Sequence, residues 1–322
     1  REHGTPLGAL AGGLRTLGAG ISYEPNEFCP PIIIRADGLR NAPAVDCDEN
    51  SCRISCDESS QYISGWLLAA PLGDGLTVVL GGKQAVSWPY VSLTLNVLED
   101  FGIRFSVQAL DDASAQWRQI DWRKLRKADP GKLRFLVEPG TYKARDYAVE
   151  GDWSGASYFL AAGAIGPRPV CVTGLNGNSL QGDAALLDIL SAMGARVVAG
   201  PEGITVFPSL LKGIDVDMGH CPDLVPTVAA VAAHAIGTTR ISNVAHLKIK
   251  ESDRLVAPAE EAGKAGCKVE ALDDGRVIHG TEPGRQAPEA GVIFSVHNDP
   301  PTAMSWRPPG IPRVSTRGPG IP

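Results

Sequence analysis

The chain repeats itself, and the repeat restricts its architecture more than any other feature of the sequence. A helical stretch with apolar residues on one side runs into a glycine, and a short run suited to a strand follows. The pattern spans Leu10–Tyr23 (LAGGLRTLGAGISY), Leu93–Val107 (LTLNVLEDFGIRFSV), Leu186–Val198 (LLDILSAMGARVV) and Leu255–Val269. Its glycines are Gly18, Gly102, Gly194 and Gly266, recurring at intervals of roughly 70 to 90 residues. Each stands where a helix ends and the backbone must turn with positive φ, a conformation that glycine adopts without steric penalty. The residues after it favour extended backbone. These glycines inform on fold rather than chemistry.

Further elements lie between the copies. Ser59–Ala70 reads as a helix stopped by Pro71, and Leu76–Leu80 as a strand. Gly155–Ala164 is an Ala-rich helical stretch followed by a strand at Val170–Thr173. Leu224–Ile236 is another, followed by a strand at Thr238–Ile241. A helix-strand-helix-strand unit therefore recurs, which predicts an α/β protein of several similar layers. A break near Arg145–Asp152 is expected to separate two domains. From Pro300 onward prolines are dense and neither period survives, so the last segment is expected to be irregular.

Composition bounds the function. The 322 residues suffice for two domains. A formal net charge of −6 argues against a general nucleic-acid binder while leaving room for a local basic site. The longest apolar stretch, Leu224–Ile236, contains Pro226 and falls short of the ~20 residues of a membrane span, so it reads as a buried helix. No signal-peptide pattern opens the sequence, and a cytoplasmic location is expected. The seven cysteines are odd in number and scattered, which argues against a disulfide framework. Cys47, Cys52 and Cys56 cluster, but with no histidine nearby they do not fit a zinc site.

Three polar clusters stand at helix starts, where free backbone N–H groups and the helix dipole favour anions. Ser59-Ser60-Gln61 offers two hydroxyls and an amide as neutral donors, although serine there is ordinarily an N-cap. His220-Cys221-Pro222-Asp223 precedes the apolar helix; Asp223 suits an N-cap and, beside a ligand, a general base. In Lys248–Arg254 five of seven residues are charged, ordinarily the mark of a solvated face. The mixture is more suggestive. Arg254 offers a planar fork for a carboxylate or phosphate, Lys250 a point charge and Glu251 a proton carrier.

The run Lys250-Glu251-Ser252-Asp253-Arg254 resembles the Lys-Glu-(Ser/Thr)-Asp-Arg motif of the 3-phosphoshikimate 1-carboxyvinyltransferase (EPSP synthase) family. Ser59-Ser60-Gln61 with Leu67–Leu72 is similar to that family's substrate-binding segment. Ser87-Trp88-Pro89-Tyr90, Val149-Glu150-Gly151-Asp152, Leu175–Asp183 (LNGNSLQGD) and Pro222-Asp223 match further motifs, in family order, between Pro6 and Asp299. The resemblance implies an α/β, two-domain enolpyruvyl transferase fold of repeated βαβαββ units, an inside-out α/β barrel with the active site in the cleft between domains. On this mapping residues 1–149 form the first domain, short of its N-terminal unit. Residues 150–299 form the second, and 300–322 an irregular Pro/Arg-rich tail.

The resemblance also implies a reaction. The enolpyruvyl group of phosphoenolpyruvate passes to the 5-hydroxyl of shikimate 3-phosphate and phosphate leaves, by addition and elimination through a tetrahedral intermediate. No metal or organic cofactor takes part, and family members are usually monomeric enzymes of the shikimate pathway to chorismate and the aromatic amino acids. Carried over position by position, Asp223 is the base and Glu251 its partner proton carrier. Lys250, Ser59, Ser60, Gln61, Ser87 and Tyr90 would hold shikimate 3-phosphate, with Asp223 and His246 beside it. Arg254 and Gln61 would bind phosphoenolpyruvate.

The sequence departs from the family at both ends. The family's Gly-Ser-Lys-Ser and Asn-Ala-Gly-Thr segments would precede Arg1, and Thr5 stands where an arginine is expected. Pro300-Pro301-Thr302 replaces the His-Arg-Met of an Asp-His-Arg-Met motif, and a shifted reading frame would produce such a tail. Loss of several buried cations predicts weak or absent phosphoenolpyruvate binding with residual recognition of shikimate 3-phosphate. Two other readings stand beside this one. A sister enzyme transfers enolpyruvyl to UDP-N-acetylglucosamine, and the Ser59–Gln61 and Lys250–Arg254 motifs weigh against it. A non-catalytic fragment is favoured by the departures at the ends.

Overall fold

The computed structural model describes residues 7–24, 27–36, 51–57, 59–125, 127–249, 255–264, 266–280, 292–295 and 314–317. The chain divides into two compact units, Arg1–Tyr147 and Ala148–Pro322.

The first unit opens with α1 (Gly8–Thr16) and an antiparallel hairpin of β1 (Gly20–Tyr23) and β2 (Ile32–Arg35). There follow β3 (Ser51–Ser55), α2 (Gln61–Ala69), β4 (Leu76–Gly81), α3 (Trp88–Asp100), β5 (Phe105–Asp111), β6 (Gln116–Gln119) and β7 (Leu133–Val137). They build a sheet of order β3-β4-β7-β5-β6. β3 and β4 are parallel, so the chain must cross over between them, and α2 is that crossover. β7 lies antiparallel between β4 and β5. As expected, α2 ends just before Pro71, which falls in a short 3-10 turn at Ala70–Leu72.

The second unit contains α4 (Trp153–Ile165), β8 (Val170–Val172), α5 (Leu186–Ala192), β9 (Arg196–Gly200) and β10 (Gly203–Phe207), with sheet order β8-β10-β9. Next come β11 (Asp215–Asp217), α6 (Val225–Ala233), β12 (Thr238–Ser242), α7 (Val256–Lys264), β13 (Lys268–Ala271) and β14 (Arg276–His279), in the order β11-β12-β14-β13. β11 and β12 are parallel, and β14 is antiparallel to both β12 and β13. Order and directions thus reproduce β3-β4-β7-β5, so β3–β7 and β11–β14 are two copies of a βαβαββ frame, β6 being an extra strand in the first. β8-α5-β9-β10 and α1-β1-β2 reproduce its later parts. The tail needs one correction. Four residues expected to be irregular form β16 (Val314–Arg317), parallel to β15 (Val292–Ser295). Ladder hydrogen bonds require only an extended backbone, and Val314 and Thr316 favour one without any longer period.

The four repeat glycines end their helices in the same way. φ is +89° at Gly18, +77° at Gly102, +98° at Gly194 and +88° at Gly266. Each glycine N–H reaches the carbonyl three residues back: Arg15, Glu99, Ser191 and Gly263, at 2.9–3.0 Å. Each following N–H reaches five residues back: Ala19 to Leu14, Ile103 to Leu98, Ala195 to Leu190 and Cys267 to Ala262, at 2.8–3.0 Å. This paired closure is the Schellman motif, and it feeds the chain directly into β1, β5, β9 and β13.

Each unit has its own core. In the first, Ile54, Val78, Leu80 and Phe135 from the sheet meet Ile63, Leu67, Leu95 and Leu98 from α2 and α3, all fully buried. In the second, every residue of α6 is buried, as its apolar character on all sides demands, among Leu160, Leu190, Leu224 and Ile241. Among the described residues no helix is long and apolar enough to cross a membrane.

Candidate active site

In each βαβαββ frame, both helices start at the edge where the two parallel strands end. That edge is a natural place for a ligand site, because connecting loops and helix N-termini converge there. In the first unit the loop after β3 carries Ser59, Ser60 and Gln61, and the loop after β4 carries Ser87. Ser59 Oγ accepts the Gln61 amide at 3.2 Å just ahead of α2, whose N-cap residue, Ser60, makes no side-chain cap bond. Ser60 is 3% exposed, while Gln61 is exposed at the first turn of α2. Ser87 has φ +53° and ψ +39°, a left-handed conformation uncommon for a residue with a side chain, and it makes no capping bond to α3. Its carbonyl accepts the Tyr90 amide at 3.1 Å. Thr94 Oγ1 then links α3 to α2 through Ser64 Oγ at 2.7 Å.

A residue that sequence reasoning passed over joins the two loops. Asp57 Oδ1 accepts the amides of Lys83 at 2.6 Å and Gln84 at 2.9 Å. The Cys56 amide also reaches Gly81 O at 3.4 Å. These bonds bring Ser59, Ser60 and Gln61 to the same sheet edge as Ser87 and Tyr90.

The second unit repeats the arrangement with other side chains. Asp223 follows β11, and His246 follows β12 in a 3-10 turn at Ala245–Ile249. Asp223 is not an N-cap: it lies inside a 3-10 turn at Pro222–Leu224, and α6 begins only at Val225. Pro222 and Pro226, both lacking an N–H, shape that tight entry. His246 is buried. Asn243, with φ +61°, donates to Asp217 Oδ1 at 3.1 Å and ties the loop after β12 to the end of β11. The Met218 amide reaches Ser242 O at 3.2 Å, the counterpart of the Cys56–Gly81 bond. Lys250, Glu251 and Arg254 lie outside the described residues.

Two motifs of the resemblance turn out to brace one another. Gln181 Oε1 accepts the Trp153 amide and Gln181 Nε2 donates to Gly151 O, both at 2.9 Å. Ser179 Oγ donates to Glu150 Oε1 at 3.0 Å. Asp152 caps α4 through the amides of Ser154 and Gly155, each at 3.0 Å.

Two buried thiols flank these loops. Burial, reinforced by the Asp57 carboxylate, pushes Cys56 up to about 12. Burial also pushes Cys221 up to about 12, reinforced by the carboxylates of Asp183, Asp217 and Asp223. Both stay protonated near neutral pH, and a thiol is a poor nucleophile. What the described loops offer is therefore hydroxyls, amides, carboxylates and an imidazole: groups that bind a polar ligand and move a proton.

Two α/β units built on a recurring βαβαββ frame, with polar loops at one sheet edge, define a chain of the enolpyruvyl transferase fold class. The EPSP synthase (3-phosphoshikimate 1-carboxyvinyltransferase) family model matches residues 4–114 and 126–300, and the chain belongs to that family. It is 39% identical over 269 residues to a 3-phosphoshikimate 1-carboxyvinyltransferase of Photobacterium damsela subsp. piscicida, covering 84% of this chain and 57% of that protein. It is 38% identical over 303 residues to one from Methanoculleus marisnigri, covering 94% and 63%. The chain thus spans less than two thirds of the length of either relative. The solved structure of EPSP synthase from Acinetobacter baumannii shares the fold, with a TM-score of 0.66 and 24% identity over 95% of this chain and 64% of that one.

Proposed function

We propose that this chain carries the substrate loops of a 3-phosphoshikimate 1-carboxyvinyltransferase, transferring enolpyruvyl from phosphoenolpyruvate to the 5-hydroxyl of shikimate 3-phosphate with release of phosphate. The observation that supports this reading is that the described candidate residues lie in the loops that follow paired parallel strands or in the first turn of the helix after them. Ser59, Ser60, Gln61, Ser87 and Tyr90 supply neutral donors for a phosphate and ring hydroxyls. Asp223 takes the proton from the 5-hydroxyl, and Glu251 supplies one to the methylene carbon as the tetrahedral adduct forms. Lys250 and His246 hold the shikimate ring, and Arg254 clamps phosphoenolpyruvate with help from Gln61. The reading includes a cytoplasmic monomer working without metal or organic cofactor.

The test is calorimetric titration with shikimate 3-phosphate and, separately, UDP-N-acetylglucosamine. Saturable binding of the first alone is expected. Preference for the second would move the chain to the sister enzyme. Binding of neither would leave a fragment whose motifs no longer serve a substrate.

A further inference from the structure

The opposite end of the first unit's sheet carries a cavity of about 620 Å³. Its wall includes Phe105, which pairs with Val137, and Val137 pairs in turn with Leu76, the first residue of β4. Ser59–Gln61 and Ser87 follow the last residues of β3 and β4, so the cavity and those loops occupy opposite edges. Its outer wall comes from the chain after β6, where Asp121 Oδ1 caps a 3-10 turn at Trp122–Lys124. The β11–β14 frame has no counterpart to β6 and this turn, and residues 115–125 fall outside the family match. One wall of the cavity thus comes from a segment that the β11–β14 frame lacks.

Its lining carries two guanidiniums, Arg104 and Arg123, and three carboxylates, Glu99, Asp121 and Glu138. Ile103, Val107 and Trp122 are only 1–6% exposed, so the apolar surface open to a ligand is that of Phe105 and Ile120, with the Phe105 ring 6.5 Å from that of Trp122. Two ion pairs stand at the rim: Arg104 Nε with Glu138 Oε2 at 2.9 Å, and Arg123 with Glu99. The Arg123 guanidinium also lies 4.4 Å over the Trp122 ring. The Arg104 and Glu138 side chains are 81% and 54% exposed, and ion pairs so exposed contribute little and open readily. An anion captured by Arg104 would leave Glu138 unpaired, and a cation captured by Glu138 would leave Arg104 unpaired. A ligand bearing both charges engages both partners at once, two charge-assisted contacts where a singly charged ligand makes one, and an apolar substituent then covers the partly exposed Phe105 and Ile120.

We propose that this cavity binds a small zwitterion with an apolar side chain, of the α-amino acid class. The carboxylate sits on a rim arginine, the ammonium on its glutamate, and the side chain on Phe105 and Ile120. The proposal is independent of the reaction assigned to the loops at the other edge.

The probe is L-leucine, titrated calorimetrically into the full chain, with N-acetyl-L-leucine and L-leucinamide as ligands each lacking one charge. Saturable binding of L-leucine is expected, weaker by about tenfold or more for each derivative. Arg104→Gln and Glu138→Gln, both at exposed positions, should each weaken L-leucine by a similar factor without changing the melting temperature. No saturable heat from L-leucine overturns the proposal. So does equal binding of either derivative, or unchanged affinity in both folded variants.

Discussion

The Asp57 carboxylate and the Lys83 amide meet at 2.6 Å across 26 residues of chain, and the same oxygen accepts the Gln84 amide at 2.9 Å. One side chain after β3 thereby fixes the course of the loop after β4. In the second unit the equivalent closure is built from the other loop, with Asn243 donating to Asp217.

Removing the Asp57 carboxylate should therefore loosen both serine loops at once. Asp57→Ala is expected to lower stability by about 2 kcal/mol, since two hydrogen bonds to a charged acceptor are lost. Asp57→Asn should recover part of that, because an amide oxygen still accepts. Urea unfolding gives the stability, and titration with shikimate 3-phosphate should show weaker binding by roughly tenfold in Asp57→Ala. Unchanged values in both measurements would remove Asp57 from this role.

The helix-ending glycines make a separable prediction. At Gly194 an added methyl group would meet nothing closer than Leu210 O at 3.4 Å, so the cost of Gly194→Ala is almost wholly that of holding alanine at φ +98°. A loss of about 1–2 kcal/mol is expected in chemical denaturation, with a smaller loss for Gly194→Asn. Equal losses for the two would point to packing instead of backbone conformation.

The buried thiols predict an alkaline limit. In the folded chain Cys56 and Cys221 are each held near 12, against an ordinary value of 9.0. Between those values the unfolded chain has released protons that the folded chain retains, so stability is intact below pH 9 and falls as pH rises toward 12. The slope approaches about 1.4 kcal/mol per pH unit for each thiol. Urea midpoints measured from pH 8 to 11 should trace the decline, and a Cys56→Ala, Cys221→Ala double variant should flatten it. At pH 8, a thiol reagent should modify the exposed Cys171 well before either buried residue.

For the proposed transfer, Asp223→Asn removes the base and keeps the side chain's size. Phosphate release is expected to fall by roughly 10²- to 10⁴-fold, with much less change in the affinity for shikimate 3-phosphate. A loss confined to binding would make Asp223 a ligand-holding group and leave the base to be found elsewhere.

What could be read from the sequence was mostly local. Gly18, Gly102, Gly194 and Gly266 announced their helix ends because a Schellman closure involves neighbours no more than five residues apart. Pro71 stopped α2 for an equally local reason. Asp57 gave no such signal, since its partners are distant in the chain and an aspartate near a strand end suits any turn. Asp223 invited an N-cap reading because serine and aspartate at helix starts usually cap, but the tight turn between Pro222 and Leu224 places it before the helix proper. β16 escaped notice because four residues are too few to display a period. The Trp122 cavity depends on β6 and its turn folding against β5, a pairing that no motif encodes.

The hydrogen bond from Cys56 to Gly81 and that from Met218 to Ser242 occupy the same place in two frames whose loops otherwise share little. Main-chain closure of this kind does not depend on which side chain sits beside it. Serines and a tyrosine could thus accumulate over one copy, and an aspartate and a histidine over the other, with no change in strand register. A duplicated frame with this property gives descent two independent surfaces on which to try new chemistry, while every trial inherits the same backbone.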